Sequence, residues 1–249
     1  MRTARLLLVL ALLGGCANET APVPQLIVSA ASDLIPPFAE IEREIERRHA
    51  LDVRFNFGSS GELARQIEAG APADVFVSAN RAYVEQLRER GLVLSETELH
   101  FARGRLAIVT RADSAAKIRS IADLVNPEIG RISIADPAHA PYGVAAREAL
   151  LSARLWHVLE PRIIRAPNVR LAYDQVVKGA TDAAIVAVSF MTAESRWIAV
   201  PEELHAPIDQ VAVVVANSQR QDAARRFVRF LSDPWSRAVL ERYGFHPVR

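Results

Sequence analysis

The sequence predicts an α/β fold built on parallel strands covered by helices. Two observations carry this: short buried-strand signals alternate with helical stretches from residue 26 onward, and each strand reaches its helix through a short polar turn. Half of the 249 residues are hydrophobic and 24% are charged, enough for a sizeable core and against long disorder.

Leu26-Ile27-Val28-Ser29-Ala30-Ala31 is a short apolar run of strand type. Ser32-Asp33-Leu34-Ile35-Pro36-Pro37 follows, its prolines suited to a helix's first turn. That helix runs to about His49 with Phe38, Ile41 and Ile45 on one face. Val53 to Phe57 is the next strand. Gly58-Ser59-Ser60-Gly61-Glu62 then turns into a short helix that Gly70 ends. Ser59 and Glu62 have capping-box spacing, so Ser59 or Ser60 caps this helix while its first N–H groups stay unpaired. Those donors, the helix dipole and the Ser60 hydroxyl attract anions without any Lys or Arg in the turn. Taken alone, the turn is equally an ordinary helix cap.

Asp74 to Ser78 is the third strand, and Asn80 caps a helix reaching Arg90, stopped by Gly91. Arg105 to Thr110 is a strand, Ile121 to Val125 a helical turn, and Arg131 to Ala135 another strand. The loop Asp136-Pro137-Ala138-His139-Ala140-Pro141-Tyr142-Gly143 leads into a helix ending near Ala153. Asn168 caps a helix over Val169 to Lys178, ended by Gly179. Ala183 to Val188 and Gln210 to Val215 are strands, and helices over Asp222 to Leu231 and Pro234 to Tyr243 close the chain. The recurring unit of strand, polar turn and helix start stands at Ser32, Ser60, Tyr142 and Val169.

Met1 to Cys16 reads as an export signal: Arg2 and Arg5 precede an apolar run from Leu6 to Leu13, far short of the roughly 20 residues that span a bilayer. Leu13-Gly14-Gly15-Cys16 resembles the lipobox of bacterial lipoproteins, which implies cleavage before Cys16 and lipidation of its sulfur. Residues 17–24 form a polar, Pro-containing linker. Cys16 is the only cysteine, so internal disulfides and cysteine-based zinc sites are excluded. The chain is expected to be periplasmic or at the cell surface, touching a membrane through its lipid anchor. Without Arg2 and Arg5, 28 Lys+Arg stand against 29 Asp+Glu. That balance argues against a nucleic-acid or membrane surface read by bulk charge.

Catalytic signatures are missing. Gly58 to Glu62 fails the Gly-x-Ser-x-Gly elbow by one position, and neither a phosphate-binding loop with its Lys nor His-Glu-x-x-His occurs. The six histidines have no ligand spacing, and only His139 lies in a candidate ligand loop. No catalytic residue, cofactor or bare metal cation is expected.

Ala30 to Leu34, Gly58 to Gly61 with Gln66 to Ala79, Ala135 to Ala146, Asn168-Val169 and Tyr243-Gly244-Phe245 resemble the molybdate-binding proteins of bacterial ABC transporters. The match runs in order over nearly the whole mature chain. It implies a type II periplasmic binding protein, with two α/β lobes joined by two crossover strands and a ligand cleft between them. One lobe takes residues 25–104 and 211–249, the other 105–210, with Leu106 to Thr110 and Val211 to Val215 as crossovers. The implied ligand is molybdate, with tungstate, bound as an oxyanion and handed to an ABC permease and its ATPase; a monomer is expected. Carried over by position, Ser32 and Ser60 give hydroxyl and backbone donors, while Tyr142 and Val169 give backbone N–H donors whose side chains matter less.

A molybdate dianion carries no proton at neutral pH, so its site needs donors only. Asp33 is therefore expected to face away from the anion. The strand position at which some members of the resembled family carry a tyrosine is Ala187 here, so either one hydrogen bond is missing, or water, Ser189 or another donor replaces it. The competing readings are the same fold tuned to sulfate, phosphate or a small carboxylate, an enzyme using Ser60 and His139, and a purely structural lipoprotein.

Overall fold

A computed structural model describes residues 25–248 except 112 and 194. The export signal, Cys16 and the linker lie outside the described residues. In chain order the elements begin with β1 (Leu26–Ala31), a 3-10 turn (Ser32–Leu34), α1 (Ile35–His49), β2 (Val53–Gly58), α2 (Ser60–Glu68) and β3 (Val75–Ser78). Next come α3 (Arg81–Glu89), β4 (Leu99–Gly104), β5 (Leu106–Thr110), β6 (Ile132–Ala135), α4 (Pro141–Ser152), α5 (Trp156–Leu159) and β7 (Ile163–Ala166). The chain ends with α6 (Val169–Val177), β8 (Ala183–Ala187), β9 (Arg196–Ala199), β10 (Ile208–Val214), α7 (Gln221–Phe230), α8 (Pro234–Arg242) and β11 (His246–Pro247).

The strands form two sheets, ordered β11-β4-β10-β3-β1-β2 and β7-β6-β8-β5-β9. Each is mixed rather than wholly parallel. β1, β2 and β3 pair in parallel, as do β6, β7 and β8, but β10 is antiparallel to both β3 and β4, and β5 is antiparallel to β8 and β9. The reason is connectivity: a chain that leaves the first sheet along β4 and returns along β10 lays those neighbours in opposite directions. The expected crossover strands each pair within one sheet. The chain instead passes between the sheets at Arg105 and again over residues 200–207.

Alternation along the strands builds two apolar layers on the first sheet. Val75, Val77, Ala212 and Val214 face one core, with Phe38, Ile41 and Ile45 of α1, while Phe76, Val211 and Val213 face the other, with Leu63 and Ile67 of α2 and Val84 and Leu87 of α3. Phe38 packs 5.3 Å from Phe55 and edge-on to Phe227 at 6.1 Å, tying α1 and α7 to β2. Asn80 and Asn168 accept the N–H groups of Ala82 and Leu171, fixing the starts of α3 and α6. Gly179 follows α6 in the left-handed region, φ 73°, where a side chain would be strained. No helix among the described residues is long and apolar enough to cross a membrane.

Candidate functional site

Strand register brings the helix starts together in pairs. β1 and β2 are parallel neighbours with Ala31 opposite Gly58, so the turns that follow them, at Ser32 and Ser60, leave the sheet side by side. β6 and β7 are likewise paired, Ala135 opposite Ala166, and lead into α4 and α6. Ligands of open α/β sheets sit beyond the carboxyl ends of such strands. There the two pairs meet: Ser32, Asp33, Ser60, Tyr142 and Val169 all line one small cavity with about 190 Å³ of empty space.

The cavity is lined by donors. Ser60 and Val169 are the first residues of α2 and α6, and Tyr142 is the second residue of α4, after Pro141. Amides of a first helical turn have no acceptor inside their helix. Among the described residues no other backbone carbonyl accepts from these three. The Ser60 hydroxyl accepts the Ala79 N–H at 3.0 Å and keeps its own proton to donate. The Ser32 hydroxyl is buried and has no hydrogen-bond partner among the described residues. Among the described residues no Lys, Arg or His lines the cavity.

One expectation about side chains is extended, and one of the open alternatives is narrowed. Tyr142 contributes more than its backbone: its hydroxyl donates to Asp33 Oδ2 at 3.0 Å, joining α4 to the turn after β1. Gln210, at the start of β10's buried run, donates to the same oxygen at 2.8 Å, and Ser189 donates to the Asp33 carbonyl at 2.7 Å. The Ser189 hydroxyl is thus engaged away from the cavity, and Ala187 is a buried strand residue opposite Leu106 that offers no side-chain donor. Asp33 is fully buried, with Oδ2 turned to its two donors and Oδ1 unpartnered. Burial pushes its carboxyl up to about 7, although bonds from Tyr142 and Gln210 pull the other way. Burial and the neighbouring Asp33 raise the Tyr142 phenol well above its ordinary value.

The capping box does not form. Ser59 is the N-cap residue of α2, but its hydroxyl makes no cap bond. It lies 2.8 Å from His139 Nδ1, and the Gly61 N–H donates to the His139 carbonyl at 3.0 Å. The serine beside His139 is therefore Ser59, not Ser60. Asp136 Oδ2 stands 3.9 Å from His139 Nε2, outside hydrogen-bond reach. Sequence reasoning missed Gln210 and Gly104. A polar residue opening an otherwise apolar strand was the signal for the first. The second is needed because a Cβ at Gly104 would stand 2.1 Å from the Tyr142 hydroxyl.

A larger open groove, with about 920 Å³ of empty space, lies beside Arg111, Lys178 and Arg196 at the end of α6 opposite Val169, away from the convergent helix starts. Among the described residues no cluster of His, Cys, Asp and Glu could hold a metal ion.

The chain is 30% identical over 241 residues to the molybdate-binding protein ModA of Haemophilus influenzae, covering 94% of each chain. It is 29% identical to the protein of the same name from Rhodobacter capsulatus, covering 95% of this chain and 93% of that one. The solved periplasmic molybdate-binding protein of Azotobacter vinelandii superposes with a TM-score of 0.85 at 26% identity, over 90% of this chain and all of that one. Residues 26–246 match the model of the bacterial extracellular solute-binding proteins, and the chain belongs to that family.

Proposed function

We propose that this protein is an extracytoplasmic receptor that captures molybdate, and tungstate with it, and delivers it to an ABC permease with its ATPase. The observation that carries the reading is the convergence of three helix starts and an unpartnered, buried Ser32 hydroxyl on a cavity without a basic side chain. In this reading Ser32 and Ser60 bind through hydroxyl and backbone, and Tyr142 and Val169 through backbone N–H. A dianion without a proton accepts from every one of these donors. Neutral dipoles hold it without the strong Coulomb attraction of buried cations, which leaves release feasible.

The proposed lobes are those expected from the sequence, 25–104 with 211–249 and 105–210, with the second boundary moved back to the start of β10 at Ile208, which pairs with β4; they close on the anion as a monomer. Lipidation at Cys16 would tether the receptor to its membrane after export. The protein acts as a binder and not as an enzyme. Asp136 Oδ2 stands 3.9 Å from His139 Nε2, so it does not orient the Ser59–His139 pair as the third member of a triad would.

Calorimetry of the purified protein with molybdate, tungstate, sulfate and phosphate tests the reading. Tight heats with molybdate and tungstate are expected, and tight binding of sulfate or phosphate without molybdate overturns it. One observation favours a second anion: ionised Asp33, with Oδ1 unpartnered, would accept from an anion that carries a proton, such as hydrogen phosphate. The phosphate arm of the same titration separates the two.

A further inference from the structure

His139 carries two contacts that anion binding does not use. It sits in the loop between β6 and α4, on the second sheet, and both contacts cross to the first turn of α2, on the first. Its ring Nδ1 meets the Ser59 hydroxyl at 2.8 Å, and its carbonyl accepts the Gly61 N–H at 3.0 Å. The approach is close enough to demand glycine: a Cβ at Gly61 would lie 2.6 Å from the His139 carbonyl oxygen and 2.7 Å from the Tyr83 hydroxyl. His139 itself does not line the cavity, and its side chain keeps 19% of its surface exposed.

Two consequences follow. The Gly61 amide would otherwise be a further free donor at the α2 N-terminus; its bond to the His139 carbonyl takes it out of that set. The Ser59 hydroxyl has given up its cap bond, a choice that costs α2 stability by itself and returns something only when the two sheets meet. A polar group that forgoes its local partner for one on the facing element is arranged for the closed state.

Resting on the receptor reading above, we infer that His139 is a positioning residue: with Ser59 and Gly61 it latches the second lobe onto α2 and sets how fast a bound anion leaves. The latch contacts form on closure, so they act on the closed complex and not on the first encounter of the anion with the open cleft. Release therefore slows while capture is untouched.

The test is stopped-flow tryptophan fluorescence with molybdate on the purified protein and its variants. His139→Ala should raise the dissociation rate roughly three- to tenfold, the worth of one ordinary hydrogen bond, with the association rate unchanged. Ser59→Ala should have the same effect, and the double variant should add nothing to it, because both changes remove one contact. His139→Asn, whose amide nitrogen falls near the place of Nδ1, should restore slow release. The melting temperature of anion-free His139→Ala should match wild type. An unchanged dissociation rate, additive single effects, or an equal loss of stability without anion each overturns the latch.

Small-angle scattering of the anion-free proteins gives a readout independent of the ligand. Wild type and His139→Ala should give equal radii of gyration, because the latch forms only on closure, and a more expanded anion-free variant overturns the latch as a device of the closed complex. If wild type gives no heat with any of the four anions, the receptor reading fails, and scattering decides the latch alone.

Discussion

The Tyr142 hydroxyl donates to Asp33 Oδ2 at 3.0 Å, across the seam between the two sheets, within a cluster that also holds Gln210. The residue whose backbone N–H is proposed as an anion donor thus ties α4 to the turn after β1 through its side chain. Tyr142→Phe keeps the backbone donor and removes the tie. It leaves a fully buried carboxyl with Gln210 as its remaining side-chain donor, a loss worth about 1 to 3 kcal/mol. Molybdate affinity should fall by roughly 5- to 150-fold by calorimetry. An affinity equal to wild type would show that closure does not depend on this bond.

Gly104 tests the same seam from the other side. Its missing Cβ makes room for the Tyr142 hydroxyl, which a methyl group there would meet at 2.1 Å. Gly104→Ala should displace Tyr142 from Asp33, lowering both the melting temperature and the affinity for molybdate. Retention of both would mean that β4 yields enough to absorb the methyl group.

Asp33 gives the pH dependence. Its carboxyl is raised from 3.8 to about 7 by burial, so between those values the folded protein holds a proton that the unfolded chain lacks. Its contribution is fully present below about pH 4 and is lost as pH rises through about 7, a change of order 4 kcal/mol. Urea unfolding between pH 5 and 8 should therefore show stability falling as pH rises. Asp33→Asn, neutral throughout, should flatten that slope. Above pH 7 molybdate affinity should also fall for wild type, because the ionised carboxylate on the cavity wall repels a dianion. A slope that persists unchanged in Asp33→Asn would assign it to other groups.

What the sequence disclosed and what it hid divide along the range of the interaction. The helix starts at Ser60, Tyr142 and Val169 were legible because serine, proline and asparagine mark them locally. Strands β1 and β3 were legible because they are apolar runs between turn signals, and β2 because Val53, Phe55 and Phe57 alternate with polar residues. The short edge strand β9, Arg196–Ala199, is mostly exposed and carries no such signal. The mixed direction of the sheets depends on how the chain returns, which no local pattern encodes. The Tyr142–Asp33 and Gln210–Asp33 bonds join residues 109 and 177 positions apart, so no spacing rule could find them. Ser59 shows the converse failure: its capping-box spacing was real, but His139, 80 positions away, competed for its hydroxyl and won. The residue-level donor set came from the family resemblance joined to the helix starts, and the orphaned Ser32 hydroxyl needed the structure.

Ser32 and Ser60 are expected to respond differently to the same substitution. The Ser32 hydroxyl is buried without a partner, so in the anion-free protein it is an unsatisfied polar group and Ser32→Ala removes a liability. The melting temperature without anion should hold or rise slightly. With molybdate present, the variant lacks a charge-assisted bond worth roughly 1.5 to 3 kcal/mol, so affinity should fall about 10- to 150-fold. The Ser60 hydroxyl already accepts the Ala79 N–H. Ser60→Ala leaves that buried amide unpaired, so it should destabilise the anion-free protein by about 1 to 3 kcal/mol while also weakening molybdate. Calorimetry paired with thermal unfolding, with and without molybdate, separates the two. A Ser32→Ala variant that loses stability without anion yet binds molybdate as wild type does would remove Ser32 from the donor set. It would also show that the hydroxyl serves the fold and not the ligand.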